Sequence, residues 1–138
     1  MKKFLLATTI CLALPLTSQA QTNLRTQFND AMAMFNDLIM QKEVGEALDL
    51  VRQDKVYTPA ERQAMNDELS AAFPDPFIGS GTVQSSPLKN GFRQELLAFW
   101  SREGDYLYVY LVLHTVDNRI KVIEADYSTS LSEFISRF

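Results

Sequence analysis

One cysteine, one histidine and one tryptophan in 138 residues exclude several kinds of chemistry at the outset. The cysteine, Cys11, falls within the first twenty residues, so the rest of the chain can build neither a disulfide framework nor a thiolate site. A lone histidine, His114, with no cysteine beyond residue 20, argues against a zinc or redox-metal site, and we expect no metal and no cofactor. No calcium-loop spacing of acidic residues and no glycine-rich phosphate loop occurs, and "IGSGT" at 78–82 does not match G-x-S-x-G. Basic residues are also in the minority, 13 against 17 acidic. Phosphate binding starts from a basic surface, so nucleic acid and anionic membranes are not expected partners. Long apolar runs are missing too, since spanning a bilayer takes about 20 apolar residues.

What is present begins with a leader. "MKKFLLATTICLALPLTSQA" has Lys2 and Lys3 in front, an apolar run from Phe4 to Leu16, and Ser18-Gln19-Ala20 at its end, the three-part layout of a secretory signal peptide. Cleavage is predicted after Ala20. Residues 1–20 are then the signal peptide, and residues 21–138 a single α+β domain without cysteine, periplasmic or secreted. Losing Lys2 and Lys3 leaves 11 basic against 17 acidic residues, a formal charge of −6. The 118 remaining residues suffice for one hydrophobic core and are too few for two ordinary domains.

That domain reads as helices followed by strands. Leu24, Phe28, Ala31, Phe35, Leu38 and Ile39 recur at steps of three and four, which predicts a long helix from Asn23 to about Met40. Val44, Ala47, Leu48 and Val51 predict a short second helix. "TPAE" at 58–61 offers a threonine cap, proline at the first helical position and glutamate three residues after the cap. This third helix should end at "PDP", 74–76. From there the period changes to two, with strands expected at about 78–86, 92–101, 106–115 and 120–127. Asn90-Gly91, Glu103-Gly104 and Asp117-Asn118 are expected to turn them into an antiparallel meander. A second S-x-x-E pattern at Ser130–Glu133 suggests a closing helix.

If Glu103-Gly104 is the tip of a two-residue hairpin, Trp100 faces Leu107, Ala98 faces Val109 and Leu96 faces Leu111. If Asp117-Asn118 is the next tip, Leu113 faces Val122 and Thr115 faces Ile120. Residues opposite one another share a face. One face then collects Leu96, Ala98, Trp100, Leu107, Val109, Leu111, Leu113, Ile120 and Val122, and is expected to be the core. The other collects Arg93, Glu95, Leu97, Phe99, Tyr106, Tyr108, Tyr110, Val112, His114, Lys121, Ile123 and Tyr127. So aromatic a face is a contact candidate, with Phe99, Tyr106, Tyr108, Tyr110 and Tyr127 as the expected interface. A second copy, a protein partner, the chain's own tail or plain exposure are the alternatives.

Two sets of residues raise the question of chemistry. His114 is the obvious acid-base candidate because imidazoles as a class titrate near neutrality, but its plain and favoured reading is a strand histidine at the edge of the aromatic face, beside Lys121 and Arg93. Alternation puts Glu124 and Asp126 on the face assigned to the core, where a carboxylate's pKa rises and it can act as a general acid or base. The plain reading is that the sheet edge is wet there, or that they pair with Arg25 or Arg52.

The order of a leader, a long helix, "QKEVGEALDLV", a P-x-E-initiated helix and a sheet ending in "RIKVIEADY" resembles the NTF2-like, or cystatin-like, α+β cone. The resemblance implies N-terminal helices packed on a curved four-stranded antiparallel sheet, a pocket between them, and dimerisation through the sheet. It implies a pocket near Phe35, Trp100, Leu111 and Glu124. An exported non-catalytic binding or interaction module is the reading that follows. The alternatives are a lyase or isomerase using Glu124 and Asp126, and a carrier of a small apolar ligand.

Overall fold

The computed structural model describes residues 18–138 apart from Gln53 and Asn118, with side chains from Leu24 onward. Most of the leader, Cys11 included, lies outside the described residues. Helix α1 runs Ser18–Met40, five residues further toward the N-terminus than its apolar spacing predicts, so the expected cleavage point falls in its first turn. Phe35 and Ile39 on its inner stripe are completely buried. The helix ends where Lys42 takes φ +65°, while the amides of Lys42 and Glu43 donate to Ile39 and Leu38, closing the last carbonyls. Lys42 Nζ in turn donates to the carbonyls of Phe73 and Pro74, tying the end of α1 to the end of the third helix.

Helix α2, Val44–Val51, and helix α3, Pro59–Ala72, cross with their backbones nearly touching. A Cβ at Gly45 would stand 2.5 Å from Arg62 Cα, so only glycine permits this approach. Around it, Asn66 accepts from the Gly45 amide at 2.8 Å and donates to Glu46, while Arg62 pairs with Asp49 at 3.0 Å. The capping box expected at Thr58 forms in both directions: Thr58 Oγ1 accepts from the Glu61 amide, and the Thr58 amide donates to Glu61 Oε2 at 2.8 Å.

Four antiparallel strands follow in the order β1-β2-β3-β4: β1 Phe77–Pro87, β2 Phe92–Ser101, β3 Tyr106–Val116 and β4 Arg119–Ser128. The β1/β2 turn has Asn90 and Gly91 at positive φ, as expected for a tight hairpin. The short helix α4, Ser132–Ile135, closes the chain, but no side chain caps it. Ser130 Oγ instead meets Ser132 Oγ at 2.8 Å, so the second S-x-x-E pattern makes no capping box.

Two single-residue features change which side chains share a face. The β2/β3 loop is not the two-residue tip that the sequence suggests. The Ser101 amide donates to the Asp105 carbonyl, and Arg102, Glu103 and Gly104, with Gly104 at φ +91°, make a three-residue loop. Trp100 therefore pairs with Tyr106, Ala98 with Tyr108, and Leu97 with Val109. One residue of slip inverts a whole strand. Leu97 and Phe99 join the helix-covered core, whereas Leu96, Ala98 and Trp100 move to the tyrosine side.

The second feature is a bulge. β3 and β4 pair as expected from Val116–Arg119 to Leu113–Val122, but Val112 then pairs with Glu124 and Tyr110 with Asp126. Ile123 is the extra residue. Glu124 and Asp126 are thereby turned away from the core, and Ala125 and Tyr127 toward it. The helix-facing core so formed joins Phe35, Ile39, Val44, Leu48, Leu97, Phe99, Leu107, Val109, Leu111, Leu113 and Val122. A second, smaller cluster of Leu96, Tyr110 and Phe134 lies on the outer side.

Candidate functional site

The pocket expected from the resemblance is not where its four residues stand. Phe35 and Leu111 are completely buried in the helix-facing core, Trp100 pairs with Tyr106 on the outer side, and Glu124 lies opposite Val112 there. Trp100 instead packs across β1, so that a Cβ at Gly79 would come within 2.4 Å of its ring. These four side chains do not converge.

Open space lies at the other end of the helix-facing side, between the first half of α1 and the β3/β4 hairpin. A groove of about 350 Å³ is walled by Phe28, Met32, Val51, Leu113, Ile120 and Val122, with Met34 and Leu50 at its rim. Met34 and Leu50 are exposed, giving the groove an apolar lip. A second hollow of about 490 Å³ shares Phe28 and Ile120 with it and is lined by Arg25, Asn29 and Arg93 as well. Both volumes fall in the roughly 300–1,000 Å³ of small-molecule sites.

Arg93 is held by what lies beneath it. Its Nε donates to Glu95 Oε1, its Nη2 donates to Ser85, and its guanidinium sits over the Phe28 ring at 5.1 Å. Ser85 also donates to Glu95 at 2.8 Å. Glu95, only 3% exposed, is the carboxylate actually held among apolar side chains, opposite Leu111. Sequence reasoning put it on the outer face. The alternation Arg93, Glu95, Leu97, Phe99 would have found it, given a three-residue β2/β3 loop.

Glu124 and Asp126 have a different task. Arg137, from the chain's end, donates to Glu124 at 3.3 Å and to Asp126 at 2.9 Å, while its guanidinium stacks near the Tyr110 and Phe134 rings at 5.1 and 5.0 Å. Both carboxylates are about half exposed. Neither Arg25 nor Arg52, the partners considered from sequence, forms an ion pair with them; Arg52 pairs with Asp54 at 2.9 Å, and Glu124 acts on it only as the last and weakest of several charges.

The outer aromatic face is divided. Tyr110, 3% exposed, stacks on Phe134 at 5.8 Å and meets the edge of Phe138. Gln94 donates both to the Tyr110 hydroxyl at 2.7 Å and to the Arg137 carbonyl. The chain's own tail thus covers the middle of the face. Tyr106 remains 44% exposed and stacks beside Tyr108 at 6.0 Å. Of the other expected interface residues, Phe99 is completely buried under the helices. Tyr127 is on that same side, where burial first and the neighbouring Glu68 second push its phenol above the usual range. His114 is on the outer side, stacked flat on Phe92 at 4.0 Å and paired across from Lys121. Among the described residues no three His, Cys, Asp or Glu side chains cluster to hold a metal, and no helix is long and apolar enough to cross a membrane.

No family model matches the chain, and no curated protein matches it. Among solved structures it is similar to an NTF2-like protein of unknown function from Shewanella baltica OS155. The identity is 9%, with 83% of this chain and 97% of the other covered and a TM-score of 0.50. Helices laid on one side of an open four-stranded meander, and that structural likeness, give this chain the NTF2-like fold.

Proposed function

We propose that this protein is an exported, non-catalytic binding module that takes a small apolar ligand between α1 and the β3/β4 hairpin. One observation carries the reading: the groove of about 350 Å³ walled by Phe28, Met32, Leu113, Ile120 and Val122 and rimmed by Met34 and Leu50. Burying apolar ligand surface there gains about 25 cal/mol per Å², and the exposed methionine lip adapts to varied shapes. The groups that suggested acid-base chemistry are engaged elsewhere. His114 is stacked on Phe92, Glu124 and Asp126 hold Arg137, and Glu95 is neutralised by Arg93. Export rests on the leader-like first twenty residues, and a secreted chain should begin at Gln21 by N-terminal sequencing.

The test is fluorescence of the neutral probe N-phenyl-1-naphthylamine. The chain from Gln21 should enhance it saturably, and Ala31→Trp, which puts bulk into the groove, should abolish the effect while leaving the fold intact by circular dichroism. Equal enhancement in both proteins would refute the groove as the site. A second reading, association with another copy through the outer face, is favoured by the exposed Tyr106 beside Tyr108. Light scattering on the native chain and on Tyr108→Lys tests it: a native dimer and a folded monomeric variant support it, and two monomers refute it.

A further inference from the structure

We infer that the ligand of this groove is an amphipathic acid, whose apolar chain lies against Met32 and Val122 and whose anionic head group is held by Arg25, Arg93 and Arg119. The inference rests on the groove reading above and adds the chemical class. Three adjoining hollows meet at Ile120: the apolar groove, the larger hollow lined by Arg25 and Arg93, and a third lined by Arg119 together with Gln27 and Ala31. The apolar wall therefore adjoins one hollow lined by Arg25 and Arg93 and another lined by Arg119.

The charge balance at this end is unlike that of the molecule. Arg25, Arg93 and Arg119 line the three hollows with a single acid, Asp30, in a chain whose formal charge is −4; Glu95 beneath Arg93 and Asp117 in the turn before Arg119 offset part of that positive charge. Glu95 is already committed to Arg93 and Ser85, and Asp30 stands along the apolar groove rather than in the arginine-lined hollow. Arg52, Arg62 and Arg137 are engaged with acids, Asp54 for the first, Asp49 and Glu46 for the second, Glu124 and Asp126 for the third, while Arg102 lies in the β2/β3 loop at the far end of the sheet. Among the described residues, Arg25 and Arg119 have no carboxylate within salt-bridge distance, and Arg93 makes no hydrogen bond through Nη1. Guanidinium groups present a planar fork of donors that fits a carboxylate. Phe28 and Glu95 hold Arg93 in place before any ligand arrives, so less side-chain freedom is lost on binding.

Displacement of N-phenyl-1-naphthylamine by decanoic acid and by 1-decanol, which share a chain and differ in the head group, tests this. The acid should compete at least about tenfold more strongly, the size of one hydrogen bond to a charged group, and the margin should shrink as salt is added. In the Arg25→Gln, Arg119→Gln double variant, which leaves Arg93 and its pair with Glu95 intact, the acid's advantage over the alcohol should shrink severalfold. If the native chain does not distinguish acid from alcohol, or if the double variant keeps the full preference, the acidic-ligand inference fails and the groove reading stands. If neither compound displaces the probe, or the probe does not bind, both fail.

Discussion

Replacing Phe134 by alanine tests whether the tail belongs to the core or merely rests on it. Phe134 is completely buried against Leu96 and Tyr110, and truncating a buried phenylalanine costs about 3–5 kcal/mol. Here the loss has a ceiling. Helix α4 has only four residues, so once Phe134 is gone the tail can peel away, and the cost cannot exceed the free energy of docking the tail. The low end, about 3 kcal/mol, is expected, lowering the Tm by about 10 °C in a domain of this size. Arg137→Ala should cost much less, about 1 kcal/mol, because its carboxylate partners are half exposed and its remaining contribution is a cation-π contact. Deleting residues 130–138 should match or exceed the Phe134→Ala loss, and should promote self-association by uncovering Leu96, Tyr110 and Val112. Urea unfolding and light scattering read both effects. A deletion variant that unfolds within about 1 °C of the full chain and remains monomeric would refute the tail as a structural cover.

Other consequences can be checked separately. Gly45→Ala should lower stability by about 1–2 kcal/mol in urea unfolding, because overpacking against Arg62 outweighs the roughly 1 kcal/mol that alanine gains in a helix. Glu61's carboxyl is held below its usual value of 4.5, first by the Thr58 amide and then by the Thr58 hydroxyl. Its contribution is fully present above pH 4.5 and is lost as pH falls through the lower folded value, so Thr58→Ala should flatten the acid side of a stability-pH curve. Tyr127 has the opposite sign. Its phenol is raised above 10.0 by burial, so its contribution holds below about pH 10 and is lost as pH rises through the folded value. Tyr127→Phe should remove that alkaline loss, followed by thermal melts between pH 9 and 11.

The helices, the four strands and their order were legible in the sequence because each depends on local pattern. The three-and-four spacing of Phe28, Phe35 and Ile39 marks α1, and the Thr58-Pro59-Glu61 group marks the start of α3 whatever surrounds it. The two faces of the sheet were legible only where the loop was read correctly. The Asp117 turn led to the right pairing of Leu113 with Val122, while one additional loop residue before Gly104 put Trp100 and Phe99 on the wrong sides. The bulge at Ile123 did the same to Glu124 and Asp126. The adjacent Val122 and Ile123 in "KVIEAD" break the alternation and were the signal available for the bulge, since a change of phase there turns Ala125 in and Glu124 and Asp126 out. The groove was harder still, because it depends on α1 standing away from β3 and β4 near Phe28, a distance in space that no local spacing encodes. Trp100 did hold an unused clue: an indole needs a flat neighbour, and Gly79 and Gly81 supply it on the outer side.

Methyl and aromatic NMR shifts during titration with decanoic acid distinguish a ligand that enters beneath α1 from one that lies on the sheet's outer face. Shifts are expected at Met32, Met34, Leu113, Ile120 and Val122, with Trp100, Tyr106 and Tyr108 unmoved. Shifts confined to Trp100, Tyr106 and Tyr108 would contradict entry beneath α1 and make the outer face the binding surface.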